Sequence, residues 1–273
     1  MTDPVFLLGV GAQKCGTSWL HEQLAAQVDI MMSPIKELHY WDRRFHPDFF
    51  APRETAKLLT NLVKKKGDAV TSEVDFERIA MDCGENYYLA YFQSRLRPHH
   101  RALGEISPSY SVLSANEFGY IRRFLPYPTK AIFLMRDPVE RVWSQCRMQA
   151  KKATGRGRDV TAEHLFRRSI DRKKIDARTG YDNTVRNLLE AFPRDDIFFG
   201  FFETLFSAQE MERLADFIGI GRLDVDLVAN PNKGAAVAKP DPAVWSNVRA
   251  HHADVYAFVL KQFGSQVPES WQV

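Results

Sequence analysis

Residues 9–20 read GVGAQKCGTSWL and overlap the end of an apolar run, Val5–Val10, that Pro4 and Gly11 bound. A short continuous apolar run between turn residues has the pattern of a strand buried on both faces. Beyond the glycines, Trp19, Leu20, Leu24 and Val28 recur at helical spacing. The stretch therefore predicts strand, glycine loop and helix in that order. Such a junction gathers backbone N–H groups at the positive end of a helix dipole, which makes it an anion site.

Gly11, Gly16 and Ser18 keep the spacing of the nucleotide-binding pattern G-x-x-x-x-G-K-[ST], but Thr17 stands where that pattern has lysine. The lysine here is Lys14, ahead of the second glycine. A plain strand-to-helix turn with a solvated lysine is the simpler alternative, and the strand and helix on either side favour the anion site. Cys15 raises a rival idea, because a thiol at a helix N-terminus can become a nucleophile. A phosphatase loop of the C-x-x-x-x-x-R kind needs arginine at position 21, where His21 stands, so Cys15 reads as a small loop residue.

Further along, the spacing predicts helices over 47–66 and 85–96, the first ending in the basic run Lys64, Lys65, Lys66. Residues 31–42, MMSPIKELHYWD, read as a loop. Arg101–Ile106 reads as a short strand entering the turn SPSY, and Lys130–Met135, KAIFLM, as a buried strand. Asp137 then suits an N-cap, with Pro138 at the first helical position. Helices over 182–192 and 208–218, a strand over 197–202 and a helical segment over 241–263 complete the pattern. Alternating strands and helices predict an α/β fold: a parallel sheet flanked by helices on both faces. With no internal repeat and no convincing linker, residues 1–273 read as a single domain, with acceptor-side insertions over roughly 43–100.

The chain has 273 residues, 45% hydrophobic and 26% charged, which is ordinary for a globular protein with a full core. A formal charge of +3 gives no case for nucleic acid as a partner. Cys15, Cys83 and Cys146 are odd in number and lack a C-x-x-C pair, against both a disulfide framework and a structural zinc site. The N-terminus has no basic region or cleavage site of a signal peptide, and no apolar run reaches the length of a membrane span. A cytoplasmic location is the expectation.

Two motifs extend the reading. Lys14-Cys15-Gly16-Thr17, with lysine before the G-T pair, resembles the 5'-phosphosulfate loop of sulfotransferases that use 3'-phosphoadenosine-5'-phosphosulfate (PAPS). RDPVERVWS, residues 136–144, is similar to that family's 3'-phosphate element, in which the first arginine and a serine eight positions on hold the phosphate. The residue types suit the task, since arginine offers a fork of donors matched to phosphate oxygens, and Ser144 lies about two helical turns on. An ion pair between Asp137 and Arg141 on a helix surface is the plainer use of the same letters.

KELHYWD, residues 36–42, is similar to a segment of the heparan-sulfate-type members, where the glutamate is the catalytic base; by residue-wise transfer that base is Glu37. His39 is its competitor, as histidine is the commoner base near neutral pH. GEISPSY, residues 104–110, resembles the family's E-K-T-P-x-Y segment, but Ile106 stands where the glycan enzymes carry a lysine. Asn232-Lys233-Gly234 resembles a late K-G element that closes over the nucleotide.

The resemblance implies a P-loop-like fold and metal-independent transfer of a sulfuryl group from PAPS, leaving 3'-phosphoadenosine-5'-phosphate (PAP), to an anionic, carbohydrate or small-molecule acceptor. It places Lys14, Cys15, Gly16, Thr17, Ser18, Arg136, Ser144, Lys233 and Gly234 on the nucleotide, Glu37, Lys14 and His39 at the chemistry, and Lys36, His39, Trp41, Ser107 and Pro108 at the acceptor. Trp41, Tyr40 and Phe45 suit either stacking on an acceptor or local core. Basic residues between Arg147 and Arg178, Lys151 and Lys152 among them, suit either steering of anions or a solvated helix face. An ATP-dependent P-loop kinase and a non-catalytic nucleotide-binding protein are the alternatives.

Overall fold

The computed structural model describes residues 3–50, 73–227 and 239–272. Its centre is a five-stranded, all-parallel sheet of β1 (Val5–Gly11), β2 (Ile30–Met32), β3 (Ala102–Ile106), β4 (Thr129–Met135) and β5 (Ile197–Phe201), in the order β2-β3-β1-β4-β5. Successive side chains of a strand point to opposite faces. Phe6, Leu7, Leu8 and Val10 of β1 are nevertheless all fully buried, so both faces of the sheet are covered.

The helices follow in chain order: α1 (Thr17–Ala25), α2 (Tyr40–Phe45), α3 (Pro47–Phe50), α4 (Glu73–Asp82), α5 (Glu85–Gln93) and α6 (Ala115–Phe124). After β4 come α7 (Pro138–Thr154), α8 (Ala162–Arg167), α9 (Lys173–Thr179) and α10 (Tyr181–Ala191). Then α11 (Ala208–Ile218) follows β5, and α12 (Pro242–His251) and α13 (Ala253–Phe263) lead to the C-terminus. One cluster of buried apolar side chains runs from Phe6 to Trp271.

The strand order fixes where a ligand can sit. From β1 the chain turns towards β2, on one side; from β4 it turns towards β5, on the other. The loops after β1 and β4 therefore diverge, and ligands of open α/β sheets bind in the crevice this leaves at the carboxyl ends of the strands. A shift of register between Gly9 and Gly11 in the β1–β4 pairing, a bulge, lies at that end.

Where the chain departs from the sequence reading, local causes are visible. Residues 31–42, expected as a loop, contain the end of β2 and the start of α2. Three residues of edge strand carry too little periodicity to read. The segment 241–263 is two helices, interrupted at His252 with φ −103° and ψ 17°. Helix α6 went unread although Ser114 and Glu117 form a full capping box, the signal that marks its start. The basic stretch after Thr154 holds α8 and α9, stabilised by packing on α7 and not by pattern. The end of the 47–66 helix and its lysine run lie outside the described residues.

Candidate nucleotide and transfer site

The loop between β1 and α1 enters the helix through Gly16, whose φ is +86°. A side chain there would be strained in the left-handed region, and its Cβ would lie 2.6 Å from Leu205 Cδ2. Gly16→Ala is expected to cost about 1–3 kcal/mol of stability, read as a lower melting temperature. An unchanged melting temperature rejects this view of the loop.

Three non-glycine residues have positive φ among those described, and they are the three expected at the chemistry: Lys14 (74°), Glu37 (53°) and His39 (54°). Such backbone costs energy and persists where surrounding contacts over-determine it, commonly at functional sites.

These contacts are explicit for His39 and the residues after it. The His39 N–H donates to Ser107 Oγ at 3.2 Å, and the His39 carbonyl accepts from Arg43 Nε at 2.6 Å. Tyr110 Oη accepts from the backbone N–H of Tyr40 at 3.1 Å and Trp41 at 3.3 Å. Beneath this, fully buried Glu105 accepts from Tyr88 and Tyr110, both at 2.8 Å, and from Ser107 at 2.7 Å. Burial pushes the Glu105 carboxyl up to about 7 despite these three donors. The segment after β3 thus acts as a frame for the loop that carries Glu37.

His39 is held between two carboxylates, with Nδ1 2.7 Å from Asp42 Oδ2 and Nε2 3.5 Å from Glu37 Oε2. Burial opposes its charge, but the two carboxylates prevail and raise it to about 9. The same contact is the main reason that the Glu37 carboxyl titrates below its ordinary value. His39 is therefore an imidazolium at neutral pH, with no lone pair to accept a proton, and Glu37 is ionised.

A cleft of about 470 Å³ opens over the anion loop, lined by Lys14, Gly16, Thr17 and Ser18 of the loop, Glu37, Pro108, and Arg136 and Ser144 of the segment after β4. Arg147, Met148 and Lys152 continue the wall along α7, and Trp19, Phe202 and Phe206 close it. A hollow of about 460 Å³ shares Arg136 and Phe202 with this cleft and is lined also by Lys239, Trp245 and Arg249. Both volumes suit small-molecule ligands.

The Lys14 ammonium has no hydrogen bond or ion pair among the described residues. Burial, then the charges of Arg136, Arg147 and Lys152, lower its pKa. Arg136 stacks on Phe202, 4.4 Å from the ring centre, and pairs with Glu140 at 3.4 Å. Asp137 is the N-cap and Pro138 the first residue of α7, as expected. The ion pair considered between Asp137 and Arg141 does not form: Asp137 meets Tyr256 at 2.9 Å and Arg249 at 3.7 Å, while Arg141 turns into the core. Tyr181 ties the two halves of the site from below, its hydroxyl donating to Arg136 O at 2.8 Å and lying 3.8 Å from Cys15 Sγ.

Other expected residues sit elsewhere. Trp41 is fully buried among Tyr40, Phe45 and Tyr88, so of its two readings it takes local core. Ser107 is also fully buried and serves the frame through its bond to Glu105. Lys36 is half-exposed and pairs with Glu22 at 3.7 Å. Ile106, in place of the glycan enzymes' lysine, packs so closely on Gly9 that a Cβ on the glycine would lie 2.5 Å from it. Cys15 is fully buried and its thiol is pushed up to about 12, which suits a small loop residue and not a nucleophile. Its backbone N–H is turned to Ala12 O at 3.3 Å. Lys233 and Gly234 lie outside the described residues.

All three cysteines are free. Among the described residues, one group has the makeup of metal ligands, Asp176 with His251 and His252; it does not line the cleft, and the charge of Arg141 acts on His252. No helix of the described residues is long and apolar enough to cross a membrane.

An open parallel sheet with a glycine loop after its central strand and a second basic element after the neighbouring strand makes this an α/β protein with a basic cleft at the carboxyl ends of its strands. The sulfotransferase family model matches residues 4–224, and the chain belongs to that family. Among solved structures, a sulfotransferase from Alicyclobacillus acidocaldarius superposes with a TM-score of 0.72 at 21% identity, covering 100% of both chains. The sulfotransferase domain of the Synechococcus PCC 7002 olefin synthase gives 0.55 at 18% identity over 98% of both. A sulfotransferase from Mycobacterium avium gives 0.52 at 15% identity, over 96% of this chain and 77% of the other. At these identities the likeness is one of fold. No curated protein sequence matches the chain.

Proposed function

We propose that this protein transfers a sulfuryl group from PAPS to a hydroxyl or amine of an acceptor, with Glu37 as base and without a metal ion. The observation that carries the reading is the meeting of Lys14, Glu37, Arg136 and Ser144 in one cleft, with the Lys14 ammonium left to a ligand. The donor supplies an SO3 unit on a phosphate leaving group. Glu37 takes the acceptor's proton as the new O–S or N–S bond forms. Lys14 neutralises the bridging oxygen as its bond to sulfur breaks, and the Gly16 and Thr17 N–H groups with the Thr17 and Ser18 hydroxyls hold the 5'-phosphate. Arg136 and Ser144 hold the 3'-phosphate.

A carboxylate titrating below its usual range is a weak base, and a loose transition state asks little more, because the acceptor's proton leaves late. Metal independence rests on the same reading: the P-loop scheme for ATP uses a carboxylate with the loop Ser/Thr to hold magnesium, whereas the one carboxylate lining this cleft, Glu37, is engaged by His39. The excess of cations, with Arg147 and Lys152 beyond Lys14 and Arg136, supports anionic ligands. The continuous core supports one domain, and the free cysteines fit a reducing cytoplasm.

A thermal-shift series tests the assignment. PAP without magnesium is expected to raise the melting temperature, by a free energy equivalent of about 2.7 kcal/mol at a hundredfold excess over Kd. Stabilisation by ATP with magnesium, and none by PAP, selects the kinase. Binding of PAP without transfer across a broad acceptor panel selects the non-catalytic protein.

A further inference from the structure

Beneath the glycine loop lies a cation that no anion meets among the described residues. Arg141 of α7 is fully buried. Its terminal nitrogens donate to Gln145 Oε1 at 2.8 Å and Thr179 Oγ1 at 2.7 Å, both neutral acceptors. Its Nε has no hydrogen-bond partner among the described residues. The charges of Tyr181, Cys15, Cys146 and Arg136 act on it most, and no carboxylate lies within ion-pair distance of it among the described residues. Burial keeps the thiols of Cys15 and Cys146 and the phenol of Tyr181 neutral at ordinary pH.

Buried charges are as a rule paired, because taking an ion out of water without a partner is costly. A residue needed only to fill this space is better served by methionine or leucine. The position suggests another use. Arg141 lies among Cys15, in the loop itself, and Tyr181, which bonds the Arg136 carbonyl. Low-dielectric surroundings screen its charge weakly, so the charge reaches a phosphate above the loop.

We propose that Arg141 is a positioning residue for the donor, an uncompensated buried charge that a phosphate-bearing ligand in the cleft balances. It acts through the loop without touching the ligand. The inference rests on reading the cleft as a nucleotide site.

The test compares wild type, Arg141→Met and Arg141→Gln in two measurements: melting temperature without ligand, and PAP affinity by calorimetry at low and moderate salt. A structural arginine would lose stability on replacement and leave affinity alone. The expected result is the reverse: Arg141→Met melts at or above the wild-type temperature and binds PAP about tenfold more weakly, with a shallower salt dependence. Arg141→Gln, which keeps a hydrogen bond to Thr179 within reach, is expected to show the same loss of affinity, separating charge from hydrogen bonding. An unfolded or destabilised methionine variant overturns the proposal when the glutamine variant binds PAP as wild type does. So does wild-type PAP affinity in a stable methionine variant. Failure of wild-type protein to bind PAP refutes the nucleotide reading itself, a result distinct from these.

Discussion

Lys14→Ala is expected to lower the rate of sulfuryl transfer by about 10²–10³-fold, the usual effect of removing one preorganised donor from a developing oxyanion. Its ammonium stands in the cleft without a partner among the described residues, and burial, then the positive fields of Arg136, Arg147 and Lys152, already lower its pKa. A cation held in that state favours any ligand that brings negative charge, most of all one whose charge grows as a bond breaks. The loss should fall on kcat more than on donor KM, because charge on the bridging oxygen is greatest in the transition state. Transfer of labelled sulfate, measured at saturating donor, checks this; a variant with wild-type kcat removes Lys14 from the chemistry.

Glu37→Gln is expected to lower kcat by about 10²–10⁴-fold, the range for general acid–base groups, with PAP affinity little changed. His39 controls the pH dependence of the same step. Its Nδ1–H faces Asp42 and its Nε2–H faces Glu37, and the imidazolium persists until about 9. A raised pKa in the folded state means that the stabilising contribution is complete below the ordinary value of 6.5 and is lost as pH rises through about 9. Glu37 has the opposite sense: its pKa is lowered, so its contribution is complete above 4.5 and is lost at more acid pH, below that value. The rate is therefore expected to be level between about pH 6 and 8. It should fall near 9 as the imidazolium is lost and Glu37 loses its clamp. His39→Asn should remove the alkaline fall. A rate that instead rises through pH 6–7 in wild type, with His39 as the titrating group, makes His39 the base.

The fold was legible because its signals are local. Val5–Gly11 and Thr129–Met135 are continuous apolar runs, and Asp137-Pro138 announces a helix in two residues. The glycine loop was legible for the same reason, since glycine spacing and the adjacent strand and helix lie within one short stretch. The rest of the site was carried by resemblance of RDPVERVWS and KELHYWD, not by periodicity. Phe202, Phe206 and Tyr181, which wall or brace the site, had no signal beyond being aromatic, and aromatic residues in strands and helices usually mark core. Arg147 and Lys152 were visible as charges only; that they face the cleft depends on how α7 is rotated against the sheet.

By itself the sequence determined the parallel α/β plan and the glycine loop with Lys14 ahead of Gly16, because each depends on neighbours a few positions apart. Tertiary structure alone gave grounds for proposing Glu37 over His39 as the base. That choice depends on Asp42 and Glu37 flanking one imidazole, on Ser107 and Tyr110 fixing the backbone around it, and on a left-handed turn at both residues. It also decided that Trp41 belongs to the core and that Arg141 lies buried with no carboxylate in ion-pair distance among the described residues. Burial and charge pairing are properties of residues far apart in the chain, and they take their values only when the sheet brings those residues together.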